Sequence, residues 1–194
     1  GVSMSFMKIT FYVDGVKKFM KKGKILFTHF GLSGPLILNS AKTVADLLHT
    51  GIVTATIDAF PDTDLGSLEK RIINVFDINK NKMLKNVFDQ IAPEGTSFAI
   101  LSLVSVDPDK KVHSVTKEER KEIVQILKSL PVNISGLMGF DRAVVADGGV
   151  SLDEIDTKTM RSKLYNNLYI TGDLLHINRP SGGYSLQLCW TTGY

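Results

Sequence analysis

The stretch Met7-Lys8-Ile9-Thr10-Phe11-Tyr12-Val13-Asp14-Gly15 decides the fold of the first part of this chain. Its apolar side chains alternate with more polar ones, which is the period of a half-buried β-strand. Asp14-Gly15 is a favoured pair for a tight hairpin turn. Residues 16–20 and 24–28 continue the β pattern on either side of Gly23. The sequence therefore predicts two further strands after the turn, separated at this glycine.

Outside this hairpin, the pattern changes to a helix and then returns to a strand. Pro35 and the glycines around Ser33 interrupt the β pattern, and Ser33-Gly34-Pro35 fits the start of a helix. A helical face then follows at Ala41, Val44, Ala45 and Leu48. Gly51 ends that helix, and residues 52–59 are rich in β-forming side chains.

The middle of the chain has the period of amphipathic helices. Two apolar stripes predict two helices: Leu68, Ile72, Val75 and Phe76, and then Leu84, Val87, Phe88 and Ile91. The apolar run 98–106 fits a buried helix or a strand, and its helical neighbours favour the helix. Thr116 and Glu119 form a capping box that opens a last helix, which Pro131 ends. Residues 62–131 are thus predicted to form a small helical subdomain.

The β pattern resumes at residue 132 and includes residues 143–146, after which Gly148-Gly149 turns the chain. Residues 168–171 fit a short apolar strand that ends in Gly172-Asp173, and Gly182-Gly183 opens a final helix. This order predicts an α+β fold. We expect a β-rich unit at 1–61 and 132–147 that carries the helical subdomain, followed by a separate α/β segment at 148–194.

Composition excludes several classes of protein. Of the 194 residues, 43% are hydrophobic and 22% are charged, as in a soluble globular chain with a proper core. Cys189 is the only cysteine, so the chain has neither a disulfide framework nor a Cys-x-x-Cys pair, which fits a cytoplasmic location. Its apolar runs are shorter than the roughly 18 residues of a membrane span, and no signal-peptide pattern is present. We expect no membrane association.

The charge and the histidines indicate no nucleic-acid or metal site. The net charge is only +3. Five lysines flank the predicted hairpin, where a solvated strand edge is favoured over a phosphate-binding patch: Lys17, Lys18, Lys21, Lys22 and Lys24. His49, His113 and His176 lack ligand spacing, so no metal is expected. The carboxylates Asp153, Glu154 and Asp156 are interpreted as a solvated turn and helix start.

Two segments near the end could bind a ligand. Asp173 follows a predicted strand, where α/β folds bind ligands, and its carboxylate could accept hydrogen bonds from sugar hydroxyls. Gly182-Gly183 precedes a helix whose first N–H groups favour negative charge, and the missing side chains admit a close ligand. A plain turn and an ordinary helix start are the alternatives, and each segment taken alone leaves them open.

Together the segments resemble the C-terminal signature of the BaiN/YhiN-like FAD-dependent oxidoreductases. The resemblance rests on residues 168–173 (Leu-Tyr-Ile-Thr-Gly-Asp) and 179–184 (Arg-Pro-Ser-Gly-Gly-Tyr). Two further blocks are similar to blocks of that family in the same order: residues 26–35 (Leu-Phe-Thr-His-Phe-Gly-Leu-Ser-Gly-Pro) and residues 148–163, from Gly-Gly-Val to Ser-Lys. The resemblance extends over residues 26–194, and Gly1-Val2-Ser3 resembles the start of the family's insert.

The resemblance implies a fold and a cofactor. In this family a β-barrel-like insert with helices interrupts a Rossmann-like FAD-binding domain. The family's Gly-x-Gly-x-x-Gly turn is absent from this chain. The resemblance thus implies that residues 148–194 are a C-terminal fragment of the FAD-binding domain, and that the N-terminal half of that domain is missing. NAD(P)H is implied as a possible electron donor, and a small organic molecule, such as an enone, as the substrate.

The resemblance also assigns cofactor-binding residues. Asp173 would bond a ribityl hydroxyl of FAD, and Gly172 would allow its approach. Gly182, Gly183 and Tyr184 would place backbone groups against the isoalloxazine ring. Gly148 and Gly149 would pass close to the flavin or the substrate cavity.

Ser185 departs from the family pattern, which often has Asn at this position; a serine hydroxyl has a shorter reach than an amide. No catalytic residue is assigned. For His29, a partly buried, hydrogen-bonded histidine that anchors a turn is favoured over a catalytic role.

Two hypotheses of function remain. The first is a fragment of a flavoenzyme, inactive alone and able to bind FAD weakly or not at all. The second is a non-catalytic β-barrel and helical module that binds a protein or nucleic acid through its lysine cluster. The flavoenzyme hypothesis requires the Gly172-Asp173 and Gly182-Gly183-Tyr184 segments to converge in space, and the module hypothesis does not.

Overall fold

The computed structural model describes residues 2–144 and 148–194. The chain divides into two compact units. The first comprises Gly1–Leu36 and Asp46–Ser135, and the second comprises Ile37–Ala45 and Gly136–Tyr194. Both helices and antiparallel strands are present, so the predicted α+β class is confirmed. The predicted limits of the domains within the chain stay predictions.

A five-stranded antiparallel sheet begins the first unit. Its strands are β1 (Val2–Val13), β2 (Val16–Thr28), β3 (Gly31–Ser33), β4 (Val53–Asp58) and β5 (Leu130–Asn133). Their spatial order is β3-β2-β1-β4-β5, so the long β1 lies at the centre. One face of β1 and β4 is apolar and buried: Met7, Ile9, Phe11, Val13, Val53, Ala55 and Ile57. The alternation in the sequence thus predicted the correct face.

The hairpin turn lies where the sequence predicts it. Asp14 and Gly15 have φ values of 48° and 79°, the positive values that a two-residue hairpin turn requires. The Asp14 amide donates to the Ile52 carbonyl at 3.0 Å, and the Asp14 carboxylate accepts from the Ile52 amide at 3.0 Å. The turn is therefore tied to the chain just before β4.

The predicted break at Gly23 is wrong, because β2 runs through this residue without interruption. The irregularity lies on β1 instead. Met4 pairs with Ile25 and Met7 pairs with Gly23, so between these pairs two residues of β1 lie opposite one residue of β2. One of them, Phe6, has a φ of 60°. A bulge of this kind bends and twists the strand, as a curled sheet requires.

Two short helices follow β3 in the chain. Helix α1 spans Pro35–Leu38, and α2 spans Ala41–Leu48. Both helices are confirmed where the sequence predicted them. Val44 is the buried residue of α2, in agreement with the predicted helical face.

The remaining helices of the first unit are α3 (Leu65–Ile78), α4 (Ser97–Leu101) and α5 (Lys117–Lys128). They share one apolar core: Leu68, Ile72, Phe76, Leu84, Val87, Phe88, Ile91, Ala92, Ile100, Leu101, Val104, Val106, Val112, Val115, Ile123, Val124 and Leu127. The predicted capping box is confirmed. The Thr116 hydroxyl accepts from the Glu119 amide at 3.2 Å, and the Glu119 carboxylate accepts from the Thr116 amide at 2.7 Å.

Two helix predictions in this region need correction. Residues 84–91 form two 3₁₀ turns, Leu84–Asn86 and Phe88–Gln90, in place of one helix. The Leu84 amide donates to the Lys110 carbonyl at 2.9 Å, which takes the backbone out of helical pairing. The helix predicted at 98–106 ends at Leu101. In that run Ile100, Leu101, Val104 and Val106 are nevertheless buried, whereas Phe98 and Leu103 are 88% and 48% exposed.

A buried carboxylate joins the sheet to α5. Asp58, at the end of β4, is 3% exposed and lies 3.0 Å from the Lys8 ammonium and 2.8 Å from that of Lys128. The Lys128 ammonium also donates to the carbonyls of Phe60 and Thr63. Two cations therefore compensate the charge of a carboxylate that would be costly to bury alone.

The second unit contains less regular structure. Its strands β6 (Ile155–Asp156) and β7 (Arg161–Ser162) form a small antiparallel pair, and helix α6 spans Tyr184–Gly193. Residues 168–171 do not form the predicted strand. The Leu168 carbonyl accepts from the Ser162 amide, and the Ile170 amide donates to the Met160 carbonyl. This pairing amounts to one isolated bridge, Arg161–Tyr169, next to the short strand β7. Helix α6 begins after Gly183, as predicted.

The strand predicted at residues 143–146 is not found in the described part of that segment. Ala143 and Val144 are not in a strand, and residues 145 and 146 of that prediction lie outside the described residues. In the part of the chain that the structure describes, every helix is too short or too polar to cross a bilayer.

Candidate functional site

The Gly172–Leu174 turn is built against helix α6. The Gly172 amide donates to the Thr192 hydroxyl at 2.8 Å, and that hydroxyl donates to the Leu188 carbonyl at 2.8 Å. Gly172 has a φ of 62°, and a Cβ atom there would lie 2.7 Å from the Cys189 sulfur. Packing against α6 therefore requires glycine at this position.

Arg179 fixes the Asp173 carboxylate. Its Nη2 lies 2.7 Å from Asp173 Oδ1, its Nε donates to the Ser185 hydroxyl at 2.8 Å, and its Nη1 donates to the Ile177 carbonyl at 3.0 Å. The Arg179 side chain is 6% exposed, whereas that of Asp173 is 51% exposed. A buried guanidinium thus orients a carboxylate that still faces solvent and can accept further donors.

The segment before α6 is open. Gly182 and Gly183 have φ values of 102° and 95°, and no atom lies within 4 Å of the place where a Cβ would stand on either residue. Helix α6 begins directly after this open backbone, and the first N–H groups of a helix suit an electron-rich group. The Ser181 amide donates to Asn39 Oδ1 at 2.7 Å, which holds the residue just before the two glycines. The buried Ser181 hydroxyl has no hydrogen-bond partner among the described residues.

Gly149 lies alongside the chain that follows Asp173. The Val150 amide donates to the Leu174 carbonyl at 2.8 Å, and the His176 amide donates to the Val150 carbonyl at 2.9 Å. A Cβ on Gly149 would lie 2.6 Å from the Leu174 oxygen, so this close approach requires glycine. Gly148, with a φ of 105°, has open space where its side chain would stand.

The seven predicted cofactor-binding residues therefore fall into two groups. Gly149 and Gly172 are explained by backbone and helix packing. Gly148, Asp173, Gly182, Gly183 and Tyr184 are exposed to solvent and available to a ligand. Their assignment to FAD stays a prediction.

Arg179 is the residue that sequence reasoning missed. It stands inside the Arg-Pro-Ser-Gly-Gly-Tyr block on which the family resemblance rests. Its three hydrogen-bonded partners, however, are brought together only by the fold. Through it, the Gly172-Asp173 turn and the start of α6 converge in space, as the flavoenzyme hypothesis requires.

His29 lies in the first unit and is exposed, so the prediction of a partly buried histidine is wrong. Its ring meets the Phe30 ring edge-on at 4.9 Å. The adjacent turn is held instead by the Thr28 hydroxyl, which donates to the Gly31 carbonyl at 2.8 Å. No group of three residues suited to hold a metal ion occurs within residues 2–144 and 148–194.

The carboxylates of residues 153–156 form the turn that was expected of them. Asp156 accepts from the Lys158 amide at 3.0 Å and from the Thr159 hydroxyl at 3.0 Å. These two hydrogen bonds hold the pKa of Asp156 below its usual value. The carboxylate is thus committed to local structure, and no catalytic role is needed to explain it.

A curled antiparallel sheet that carries a helical core places the chain in the class of α+β barrel proteins with a helical subdomain. Residues 1–145 match the HI0933-like protein barrel and H2TH domain, and the chain belongs to this family. The match confirms the predicted resemblance to BaiN/YhiN-type flavoproteins. It ends before every predicted cofactor-binding residue.

Curated relatives extend the similarity toward the C-terminus. The chain is 25% identical to the 3-dehydro-bile acid delta(4,6)-reductase of Clostridium scindens over 173 residues, which cover 89% of this chain and 42% of the relative. It is 26% identical to the ribosomal RNA dihydrouridine synthases of Escherichia coli and Haemophilus influenzae, over 88% of this chain and 40% of each relative. The chain therefore spans about two fifths of the length of these relatives.

Proposed function

We propose that this chain belongs to an FAD-dependent oxidoreductase that reduces a carbon–carbon double bond conjugated to a carbonyl. The parent protein would pass reducing equivalents from NAD(P)H through FAD to a small cyclic substrate. The convergence of the Asp173 turn and the start of α6 is the observation that carries the proposal. A non-catalytic module gives no reason for these two segments to meet.

The names of the relatives support one type of reaction. A delta(4,6)-reductase of a 3-dehydro bile acid acts on double bonds near a ring carbonyl. Dihydrouridine differs from uridine by two hydrogens across a ring double bond that is conjugated to a carbonyl. In such a reduction the β-carbon gains a hydride and the α-carbon gains a proton, while NAD(P)H is oxidised to NAD(P)⁺. An enone, the substrate predicted from the sequence, can undergo this type of reduction.

The residues of the second unit fit FAD in three respects. Asp173 offers an oriented, half-exposed carboxylate to a ribityl hydroxyl. Gly182 and Gly183 leave room for a ring against the backbone, and the N–H groups of Tyr184 and Ser185 favour the negative charge that a reduced flavin gathers. Bound FAD would supply the hydride chemistry, and the protein would orient it and exclude water.

Exposed apolar side chains of the second unit support the proposal that a further part of the protein completes the flavin domain. They include Leu164, Tyr165, Tyr169, Leu174, Tyr184, Leu186 and Trp190. Exposed apolar groups in such number are typical of a surface that another element covers. The missing N-terminal half of the FAD domain would be that element, and we propose a cytoplasmic location for the whole protein.

The test uses the full-length protein and two matched variants, Asp173→Asn and Asp153→Asn. We expect the purified parent to absorb visible light as a flavoprotein and to bleach when NAD(P)H is added. Asp173→Asn should weaken FAD binding by about 10- to 100-fold, the effect of losing a charged hydrogen bond. Asp153, an exposed carboxylate in a turn of the same unit, serves as the control and should leave the affinity unchanged.

Two results would refute the proposal. A colourless parent protein that does not take up FAD would show that FAD is not its cofactor. If the parent protein is yellow and both variants bind FAD as tightly as it does, Asp173 is not part of the FAD site. The reaction is tested by adding a cyclic enone to the reduced protein without oxygen and following the return of flavin absorbance.

A further inference from the structure

The helical part of the first unit contains a cleft that the proposed function leaves unused. It lies between the second half of α3, the 3₁₀ turn Val112–Ser114 and the first turn of α5, and its volume is about 350 Å³. This volume falls within the range of small-molecule sites, roughly 300 to 1,000 Å³. Every residue that lines the cleft falls within residues 73–120 of the first unit. The cleft is therefore formed without any predicted cofactor-binding residue.

Arg120 brings an uncompensated positive charge to this cleft. Within residues 2–144 and 148–194, the one hydrogen bond of its half-buried side chain runs from Nη1 to the Val115 carbonyl at 3.2 Å. Its buried Nε has no partner, and the guanidinium forms no ion pair with any carboxylate of the described chain. A partly buried cation without a counter-charge is unfavourable. An anion in the cleft would supply that counter-charge and would accept from the unused Nη2.

The rim of the cleft adds one charge of each sign. The Lys80 ammonium lies 3.8 Å from the Asp77 carboxylate, and both side chains are exposed. His113 Nδ1 lies 2.7 Å from the Lys80 carbonyl, and because a carbonyl can only accept, Nδ1 donates and fixes the ring at the rim. Arg120 and Lys80 against Asp77 leave one net positive charge. This charge matches a monoanion, whereas a dianion would bring excess negative charge next to the Asp77 carboxylate.

The remaining walls of the cleft are apolar. Phe76, Val112 and Val115 line it and are at most 6% exposed, and the half-buried Ile73 completes this part. The three buried side chains also belong to the apolar core of the helices, which holds them in place. A ligand with an apolar body would contact these walls, while a planar carboxylate at its end would match the guanidinium of Arg120. A small inorganic ion would make only the second contact.

We propose that this cleft binds a small organic monocarboxylate with an apolar body, held at its charged end by Arg120. The proposal goes beyond the proposed function and does not depend on it, because the cleft is made by the helices of the first unit alone. The structural alternative is that Arg120 only ties the Val115 carbonyl to the start of α5. In that case its loss would lower stability but would not change the affinity for a carboxylate.

The experiment titrates the full-length protein with hydrocinnamate, a monocarboxylate with an apolar body, and follows binding by ligand-observed NMR. We expect a dissociation constant of about 1 mM for a ligand of this size. Hydrocinnamamide, which has the same shape without the charge, should bind about tenfold more weakly. Arg120→Gln should weaken hydrocinnamate binding about tenfold for the same reason. The control Arg71→Gln removes an exposed guanidinium of α3 that lies over the Phe60 ring, and it should change the affinity less than about twofold.

Asp77→Asn tests the charge balance of the cleft with a change of opposite sign. It removes the carboxylate at the rim, so hydrocinnamate should bind about two- to threefold more tightly. The Asp77 side chain is 62% exposed, so this variant should fold even if Arg120→Gln does not. Circular dichroism of each variant checks that it is folded before its affinity is compared.

Weaker binding to Arg120→Gln together with tighter binding to Asp77→Asn would support the proposal, since both residues line the cleft. Four results would overturn it: no saturable binding of hydrocinnamate, equal binding of hydrocinnamamide, equal effects of Arg120→Gln and Arg71→Gln, or no gain in affinity for Asp77→Asn. Inorganic phosphate that binds more tightly than hydrocinnamate would also overturn the assignment to a monocarboxylate. None of these results bears on FAD binding, so the proposed function would stand.

Discussion

Arg179 shows how one side chain can organise a site in which it need not touch the ligand. Its guanidinium bonds Asp173, Ser185 and the Ile177 carbonyl. The family often has Asn where this chain has Ser185, and here the serine hydroxyl is used to accept from Arg179. The Ser185 hydroxyl is therefore engaged in an internal contact. We therefore propose that the flavin interactions expected at the start of α6 are made by the backbone.

The glycines of the site should separate by experiment into those needed for packing and those facing a ligand. Gly172→Ala places a methyl group against the Cys189 sulfur in a left-handed conformation, so we expect a loss of unfolding free energy of about 3 kcal/mol. Gly182→Ala meets no atom and should cost about 1 kcal/mol, the conformational part alone. Urea unfolding of the two variants measures the difference.

The double variant Gly172→Ala, Cys189→Ala is the control for this interpretation. Removal of the sulfur makes room for the new methyl group, so part of the lost stability should return, while the cost of the left-handed backbone remains. If Cys189→Ala adds its own cost to that of Gly172→Ala, the two residues do not contact each other as the structure shows.

At the scale of elements, the start of α5 couples helix stability to pH. The Lys110 ammonium, 2.8 Å from Glu119, is the first cause that lowers the Glu119 pKa, and the Thr116 amide adds to it. A carboxyl whose pKa is lowered by folding contributes stability above its unfolded value of 4.5. That contribution is lost as the pH falls through the lower folded value.

We therefore expect Glu119→Gln to weaken the dependence of the unfolding free energy on pH in the acid range. The amide can still accept from the Thr116 amide, but it cannot titrate and has no ion pair with Lys110. Urea unfolding at pH 7 should show a loss of unfolding free energy relative to the unaltered protein. This difference should begin to shrink near pH 4.5 and vanish once the pH is below the lowered pKa of Glu119 in the folded protein. Thr116→Ala should instead cost about 1 kcal/mol at both pH values, because it removes an uncharged cap. A pH-independent cost for Glu119→Gln would contradict this account.

At the scale of the whole molecule, sequence reasoning succeeded where the determinants are local. The Asp14-Gly15 turn, the capping box of α5 and the start of α6 are each set by a few adjacent residues. It failed at residues 84–91 and 168–171, whose backbone bonds go to Lys110 and to the β7 region, because such pairing leaves no periodic signal. The contacts of Arg179 with Asp173 and Ser185 also leave no periodic signal in the sequence, so they could not be predicted from it.

The two units should differ in local stability. The first unit has a shared apolar core, whereas α6 has no buried residue. We expect amide hydrogen exchange of this chain to be fast in α6 and slow in β1 and α5, because the free energy of local opening increases with buried apolar contact.

In the full-length protein with FAD, exchange in α6 should slow markedly, since a ligand that binds only the folded form stabilises it. Mass spectrometry of peptides from α5 and α6 in both proteins gives the comparison. Equal protection of α6 and β1 in this chain, or α6 exchange unaffected by FAD, would show that this helix is not the exposed side of a flavin site.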